Sequence, residues 1–196
     1  MENLIHLVGG APGVGKSTIV EEVNNRPDID IFYARMGNLI YELARDEGHV
    51  ENTRDRIRPA LYRELGCTVA ENLRSDIDRK HIVLDCHFVD YDGYGYMPKI
   101  TVPVANELAP DTITVIEAPP EVVPDRIRDR IRSKERAVPS IEGVQEHMML
   151  ERQYAVSISN QVGCWLRLLN NENSTVESTA ESFARSIVSY SRIFEY

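Results

Sequence analysis

The 196-residue chain is short of cysteine, short of basic residues and without a long apolar run, and each shortage narrows what it does. Its three cysteines, Cys67, Cys86 and Cys164, lie far apart and form no C-x-x-C pair. That pattern excludes a disulfide framework and fits reduced thiols in a cytoplasmic protein. Lys and Arg number 22 against 31 Asp and Glu, a net charge of −9, which argues against a general nucleic-acid binder. No apolar stretch approaches membrane-spanning length, and the first motif begins ten residues in, leaving no room for a secretory leader. A soluble, cytoplasmic chain with no membrane partner is therefore expected. His6, His49, His81 and His147 are scattered and make no metal spacing. At this length one domain is expected, able to bury roughly 70% of its unfolded surface without staples.

Against these absences stands Gly10-Ala11-Pro12-Gly13-Val14-Gly15-Lys16-Ser17, which fits G-x-x-x-x-G-K-[ST], the phosphate-binding loop. The glycines admit backbone conformations closed to other residues, so successive N–H groups can curl round a polyphosphate. Lys16 is placed to reach the terminal phosphates, and Ser17 to offer its hydroxyl to Mg²⁺. The context fits. Leu4 to Val8 is an apolar run of strand length, and Ile19, Val20 and Val23 mark one face of a following helix. That helix turns its positive dipole end toward the same anion. The chain is expected to bind a nucleoside triphosphate, with Lys16 exposed to it.

Strands and helices alternate along the rest. A strand is expected over Ile29–Tyr33 and a helix through Leu39, Ile40, Leu43 and Ala44, closed at Gly48. Pro59 opens another helix with Leu61, Leu65, Val69 and Leu73 inward. His81–Asp85 reads as a buried strand ending in an acid, and Tyr91–Pro98, with two glycines and three tyrosines, as a loop. A short helix over Val102–Leu108 and a strand over Thr112–Ile116 follow, then a charged helix toward Arg136. Glu142–Ser159 is a long helix and Cys164–Leu169 the last strand. Ser174 or Thr175 caps a terminal helix carrying Val176, Phe183, Ile187 and Tyr190. This order implies an α/β fold with a mostly parallel sheet covered on both faces, its ligands beyond the carboxyl ends of the strands.

Three constellations carry chemistry. Asp85 closes its strand as expected of an acid that holds Mg²⁺ through water. Arg126, Arg128, Arg130, Arg132, Lys134 and Arg136 put six of the 22 basic residues into eleven positions. At about 100° per residue, 128/132/136 form one stripe and 126/130/134 another, roughly opposed. Either the helix is solvated and laced with ion pairs, or one stripe, by preference 128/132/136, neutralises transferring phosphate. Arg54, Arg56, Arg58 and Arg63 are a second cluster, suited to a phosphate-bearing acceptor unless Asp55 and Glu64 neutralise it. His87 either bonds a substrate or caps its strand.

Taken in order, the phosphate loop, the arginine-bearing helical stretch, Asp85-Cys86-His87, Gly95-Tyr96-Met97-Pro98 and the arginine-rich segment resemble archaeal-type adenylate kinases. Arg54 to Arg58 and Asn106-Glu107-Leu108 also fit. The resemblance implies a P-loop three-layer sandwich with a five-stranded parallel sheet, a helical monophosphate-binding insert at about 34–76 and a short lid at about 120–141. It implies reversible phosphoryl transfer from MgATP to AMP giving two ADP, in a family whose members often form trimers. By resemblance Gly10 to Thr18 cradle ATP, Arg54, Arg58 and His87 bind the acceptor, and Arg128, Arg132 and Arg136 act with Lys16 on the transferring group. Ser17 would hold Mg²⁺ directly and Asp85 through water. The sequence departs from the family at Cys86, where threonine is usual, and at Met36-Gly37-Asn38, where a hydroxyl residue usually follows the glycine. Another nucleoside monophosphate therefore stays open as acceptor. So does the reading of a nucleotide-switched assembly factor with slow ATPase activity.

Overall fold

The computed structural model describes residues 4–52, 56–77, 80–130, 138–171 and 176–193. In chain order the elements are β1 (Leu4–Gly9), α1 (Lys16–Asn24), β2 (Ile31–Arg35), α2 (Met36–Asp46), α3 (Pro59–Asp76), β3 (His81–Asp85) and β4 (Val89–Tyr91). Then come β5 (Tyr96–Pro98), α4 (Val102–Leu108), β6 (Thr112–Glu117), α5 (Val123–Arg130), α6 (Ile141–Val162), β7 (Trp165–Asn170) and α7 (Val176–Ile193). Five strands form one parallel sheet in the order β2-β3-β1-β6-β7. Parallel neighbours require crossovers, and the helices supply them on both faces.

Alternation along the strands sorts the core into two layers. Ile5, Leu7, Ile82, Leu84, Ile113 and Val115 point to one face, with Ile40, Leu65, Val69 and Ala155 of α2, α3 and α6. Val8, Val83, Ile116 and Leu169 point to the other, against Ile19, Val20 and Val23 of α1 and Phe183 and Ile187 of α7. The three-layer α/β fold read from the sequence is thus present. Among the described residues no helix is long and apolar enough to cross a membrane.

Two local expectations need correction. The second strand runs Ile31–Arg35, not Ile29–Tyr33, because its pairing with β3 is set from Ile31↔His81 to Arg35↔Asp85. Ile29 is instead buried in the other apolar layer. The stretch Tyr91–Pro98 is not simply a loop, because β4 and β5 pair antiparallel, Val89↔Pro98 to Tyr91↔Tyr96. Each strand is only three residues long, too short to show a period. The glycines and Asp92 belong to the turn between them, where the Tyr94 N–H donates to Asp92 Oδ1 at 3.0 Å. Ser174 and Thr175, expected to cap α7, lie outside the described residues.

Candidate active site

The ends of β1 and β3 meet side by side, Val8 opposite Asp85, and this register builds the site. After β1 the phosphate loop turns through Gly13 at φ +87° and Gly15 at φ +97°, angles that a side chain makes costly. Space forbids side chains there too. A Cβ on Gly15 would stand 2.5 Å from Asn171 Nδ2, and one on Gly13 2.8 Å from Ile127 of α5. Asn171 donates from that same nitrogen to the Val14 carbonyl at 2.8 Å, and Thr179 donates to its Oδ1 at 3.3 Å. The loop is thereby fastened to both α5 and the chain after β7.

Asp85, only 4% exposed, is the hub. It is ion-paired with Lys16 and accepts from Ser17 Oγ at 3.1 Å and Tyr33 OH at 3.2 Å. Arg35 Nε stands 3.8 Å away and donates to the Tyr33 hydroxyl at 3.1 Å, while Arg35 Nη2 donates to Glu21 at 2.7 Å. Lys16 is 8% exposed and ion-paired with Asp85, and it lines the adjoining cavity. A carboxylate partner offsets the desolvation of a buried ammonium.

From this hub a cavity of about 550 Å³ extends toward α2, α3 and the β4–β5 hairpin. Lys16, Ser17 and Asp85 line one end; Asn38, Tyr41, Tyr62, Asp90 and Lys99 are among the rest. Lys99 Nζ lies 4.8 Å from the centre of the Tyr62 ring, a cation–π contact that keeps the ammonium at the wall. Burial pushes the Tyr62 phenol well up, and burial does the same to the Cys86 thiol, so both stay protonated at neutral pH. Both departures from the family pattern, Cys86 and Met36-Gly37-Asn38, are in this wall.

His87 also lines the cavity, and its place is set from behind. Glu151 of α6, fully buried, accepts from the Phe88 N–H at 2.9 Å and stands 3.2 Å from His87 Nδ1. A carboxylate accepts only, so Nδ1 is the ring nitrogen that carries a proton toward it. His147, one turn before Glu151, donates from Nε2 to the Val89 carbonyl at 3.2 Å.

Only part of the expected arginine pattern falls among the described residues. Arg126 reaches the phosphate loop, donating to the Val14 carbonyl at 3.3 Å. Arg128 lies on the exposed side of α5, ion-paired with Asp125, and is not brought to the loop. The reason is the phase of α5. Val123 and Ile127, one turn apart, pack on Gly13, which turns position 126 toward the loop and 128 away from it. Arg132 and Arg136 lie outside the described residues, as does Arg54. Arg58 stands at the N-cap of α3, exposed and apart from the cavity lining. Arg56 donates to the Asp92 carbonyl at 3.2 Å and covers the Tyr94 ring at 5.2 Å. Sequence reading missed Arg35, Tyr62, Lys99 and Glu151. None belongs to a local motif, and Glu151 lies 64 positions from the histidine it holds.

The comparisons with known proteins agree with one another. A family model described as "AAA domain" matches residues 9–145. The adenylate kinase of Methanothermobacter thermautotrophicus is 29% identical, over 88% of this chain and 92% of its own. That of Thermoplasma acidophilum is also 29% identical, over 92% and 97%, and that of Pyrococcus abyssi 30% identical, over 86% and 87%. The crystal structure of shikimate kinase from Bacteroides thetaiotaomicron superposes with a TM-score of 0.52 over 94% of this chain and 98% of that one. At 12% identity, that likeness is one of fold alone.

Proposed function

This chain belongs to the AAA-domain family and to the adenylate kinases, phosphotransferases of the nucleoside monophosphate kinase type, and on that premise we propose that it moves the terminal phosphoryl of ATP to AMP. One observation carries the reading. The cavity of about 550 Å³ is continuous with Lys16, Ser17 and Asp85, so an acceptor inside it faces a donor held by the phosphate loop. Its lining suits a nucleoside monophosphate: Tyr41 and Tyr62 for a ring, Asn38 and Asp90 for polar edges, Arg35 and Lys99 for a phosphate.

The backbone of Gly10 to Thr18 cradles the triphosphate. Lys16 leaves Asp85 for its outer oxygens, and Arg126 adds positive charge from α5. The Ser17 hydroxyl and the Asp85 carboxylate are hard oxygen donors 3.1 Å apart, a set that fits Mg²⁺. When bound with ATP, the ion screens charge on the phosphate oxygens. The acceptor phosphate attacks in line, ADP leaves, and no covalent enzyme intermediate is needed. His87, held at Nδ1 by Glu151, faces the acceptor. Residues at about 34–76 act as the acceptor-binding insert and those at about 120–141 as a lid that keeps out water.

A coupled assay of the purified protein with MgATP and a panel of nucleoside monophosphates tests this. AMP gives the largest kcat/KM. Slow ATP hydrolysis unaffected by any monophosphate would instead identify a nucleotide-switched ATPase.

A further inference from the structure

The helix α7 carries two stripes. Ala180, Phe183, Ala184 and Ile187 are buried in the core, while Ser182, Ser186, Ser189 and Ile193, at intervals of three or four residues, face the edge of the sheet. There Thr112 and Thr114 of β6 and Trp165 and Arg167 of edge strand β7 alternate onto the same face. Between helix and strands is a second cavity, of about 600 Å³. Thr112 and Trp165 begin their strands, so it lies toward the amino ends of the strands, whereas the phosphate loop and Asp85 lie at the carboxyl ends.

The charge in this cavity is its telling feature. In a chain of net charge −9, its described lining holds two charged residues, Arg167 and Arg185, and no carboxylate. Arg167 donates to the carbonyl and hydroxyl of Ser182, at 3.1 and 2.9 Å, both neutral acceptors. Among the described residues no carboxylate lies within ion-pair distance of it. Arg185 has one, Glu181 at 3.9 Å along the exposed helix surface. Burial and the Arg185 charge together push the Arg167 guanidinium below its ordinary range, as expected of two cations sharing a cavity without an anion. Partly buried charge without a counter-ion is costly, and a phosphate group offsets it with bidentate contacts. Trp165, 63% exposed at the rim, offers a flat apolar face.

We propose that this groove between α7 and the β6–β7 edge is a second ligand site, separate from the active site, for a phosphate-bearing molecule of nucleotide size. Its phosphates lie on Arg167, Arg185 and the serine hydroxyls, and its ring lies on Trp165.

Trp165 is the single tryptophan of the chain, so intrinsic fluorescence reads this groove directly. The full chain is titrated, without Mg²⁺, with a nucleoside triphosphate, inorganic pyrophosphate and a phosphate-free nucleoside. A saturable change is expected with the first two, tighter for the nucleotide, and none with the nucleoside. Arg185→Glu, at a side chain 70% exposed and so harmless to folding, weakens binding about 10-fold or more, which is about 1.4 kcal/mol. Lys16→Ala, which disables the phosphate loop, leaves the Trp165 signal in place. The proposal is overturned by no saturable change, by a change that survives Arg185→Glu, or by one that vanishes in Lys16→Ala. A signal that follows protein concentration rather than ligand also overturns it, since the groove would then be a contact between copies of the chain.

Discussion

Replacing Asp85 with asparagine separates the two duties of that carboxylate. The amide keeps the shape and still accepts from Ser17 and Tyr33, now 3.1 and 3.2 Å away. What is lost is the negative charge against Lys16, which is 8% exposed, and against Arg35 at 3.8 Å. Leaving one member of a fully buried pair uncompensated costs about 3–5 kcal/mol. Lys16 borders an open cavity and can turn outward, so the expected loss is about 2 kcal/mol. For a domain of this size that lowers Tm by about 4–8 °C. The triphosphate then replaces the missing anion. In the wild-type protein, Mg²⁺-free ATP must draw Lys16 off Asp85 and lie near its carboxylate; in Asp85→Asn neither cost exists. Saturating ATP with chelator should therefore raise the Tm of the variant more than that of the wild type, although with Mg²⁺ kcat falls about 100-fold or more. Thermal unfolding with and without ATP measures the first effect and a coupled assay the second. Equal stability of variant and wild type, with equal gains from ATP, would refute the view that Lys16 and Asp85 hold each other until a polyphosphate arrives.

Other expectations follow from single contacts. Arg126→Ala lowers kcat about 10-fold or more, whereas Arg128→Ala removes only an exposed ion pair and changes it less than about two-fold; steady-state rates distinguish them. Lys99→Ala raises the KM for the monophosphate more than that for ATP, and more than Arg58→Ala does, since Lys99 lines the cavity and Arg58 does not. Glu151→Gln leaves the His87 ring free to protonate either nitrogen, which ¹⁵N chemical shifts of the labelled ring report, alongside a lower kcat at little-changed KM for ATP. His6, buried between Thr112 Oγ1 at 2.8 Å and His81 at 3.1 Å, is lowered from 6.5 to about 3, by burial first and by His81 second. The unfolded chain binds that proton more readily, so the contribution of His6 is complete above about pH 6.5 and is lost as pH falls toward about 3. Between pH 6.5 and 5 this residue alone removes about 1.5 kcal/mol, a slope in urea-unfolding data that His6→Gln flattens.

Much of the fold is legible in the chain because local and global demands coincide. The glycines and Lys16 of the phosphate loop follow an apolar run of strand length and precede a helical stripe. Asp85 ends a run buried at every position, which is the pattern of a central parallel strand. The other half of the site is not local. Lys99 reads as one more surface cation until the hairpin folds it over Tyr62, and Glu151 as a polar interruption of α6 until the helix crosses behind His87. Arg126 against Arg128 was a question of helix phase, decided by the contact of Val123 and Ile127 with Gly13, which no periodicity within α5 reveals. The hairpin of β4 and β5 was hidden by its brevity.

Phosphorus NMR of the purified protein with MgATP and AMP bears most directly on the central claim that the phosphate loop and the adjoining cavity form one phosphoryl-transfer site. ATP and AMP signals should decline together while two equivalents of ADP appear for each ATP consumed, with no early inorganic phosphate. Inorganic phosphate released at the same rate with or without AMP, and AMP left unchanged, would contradict it.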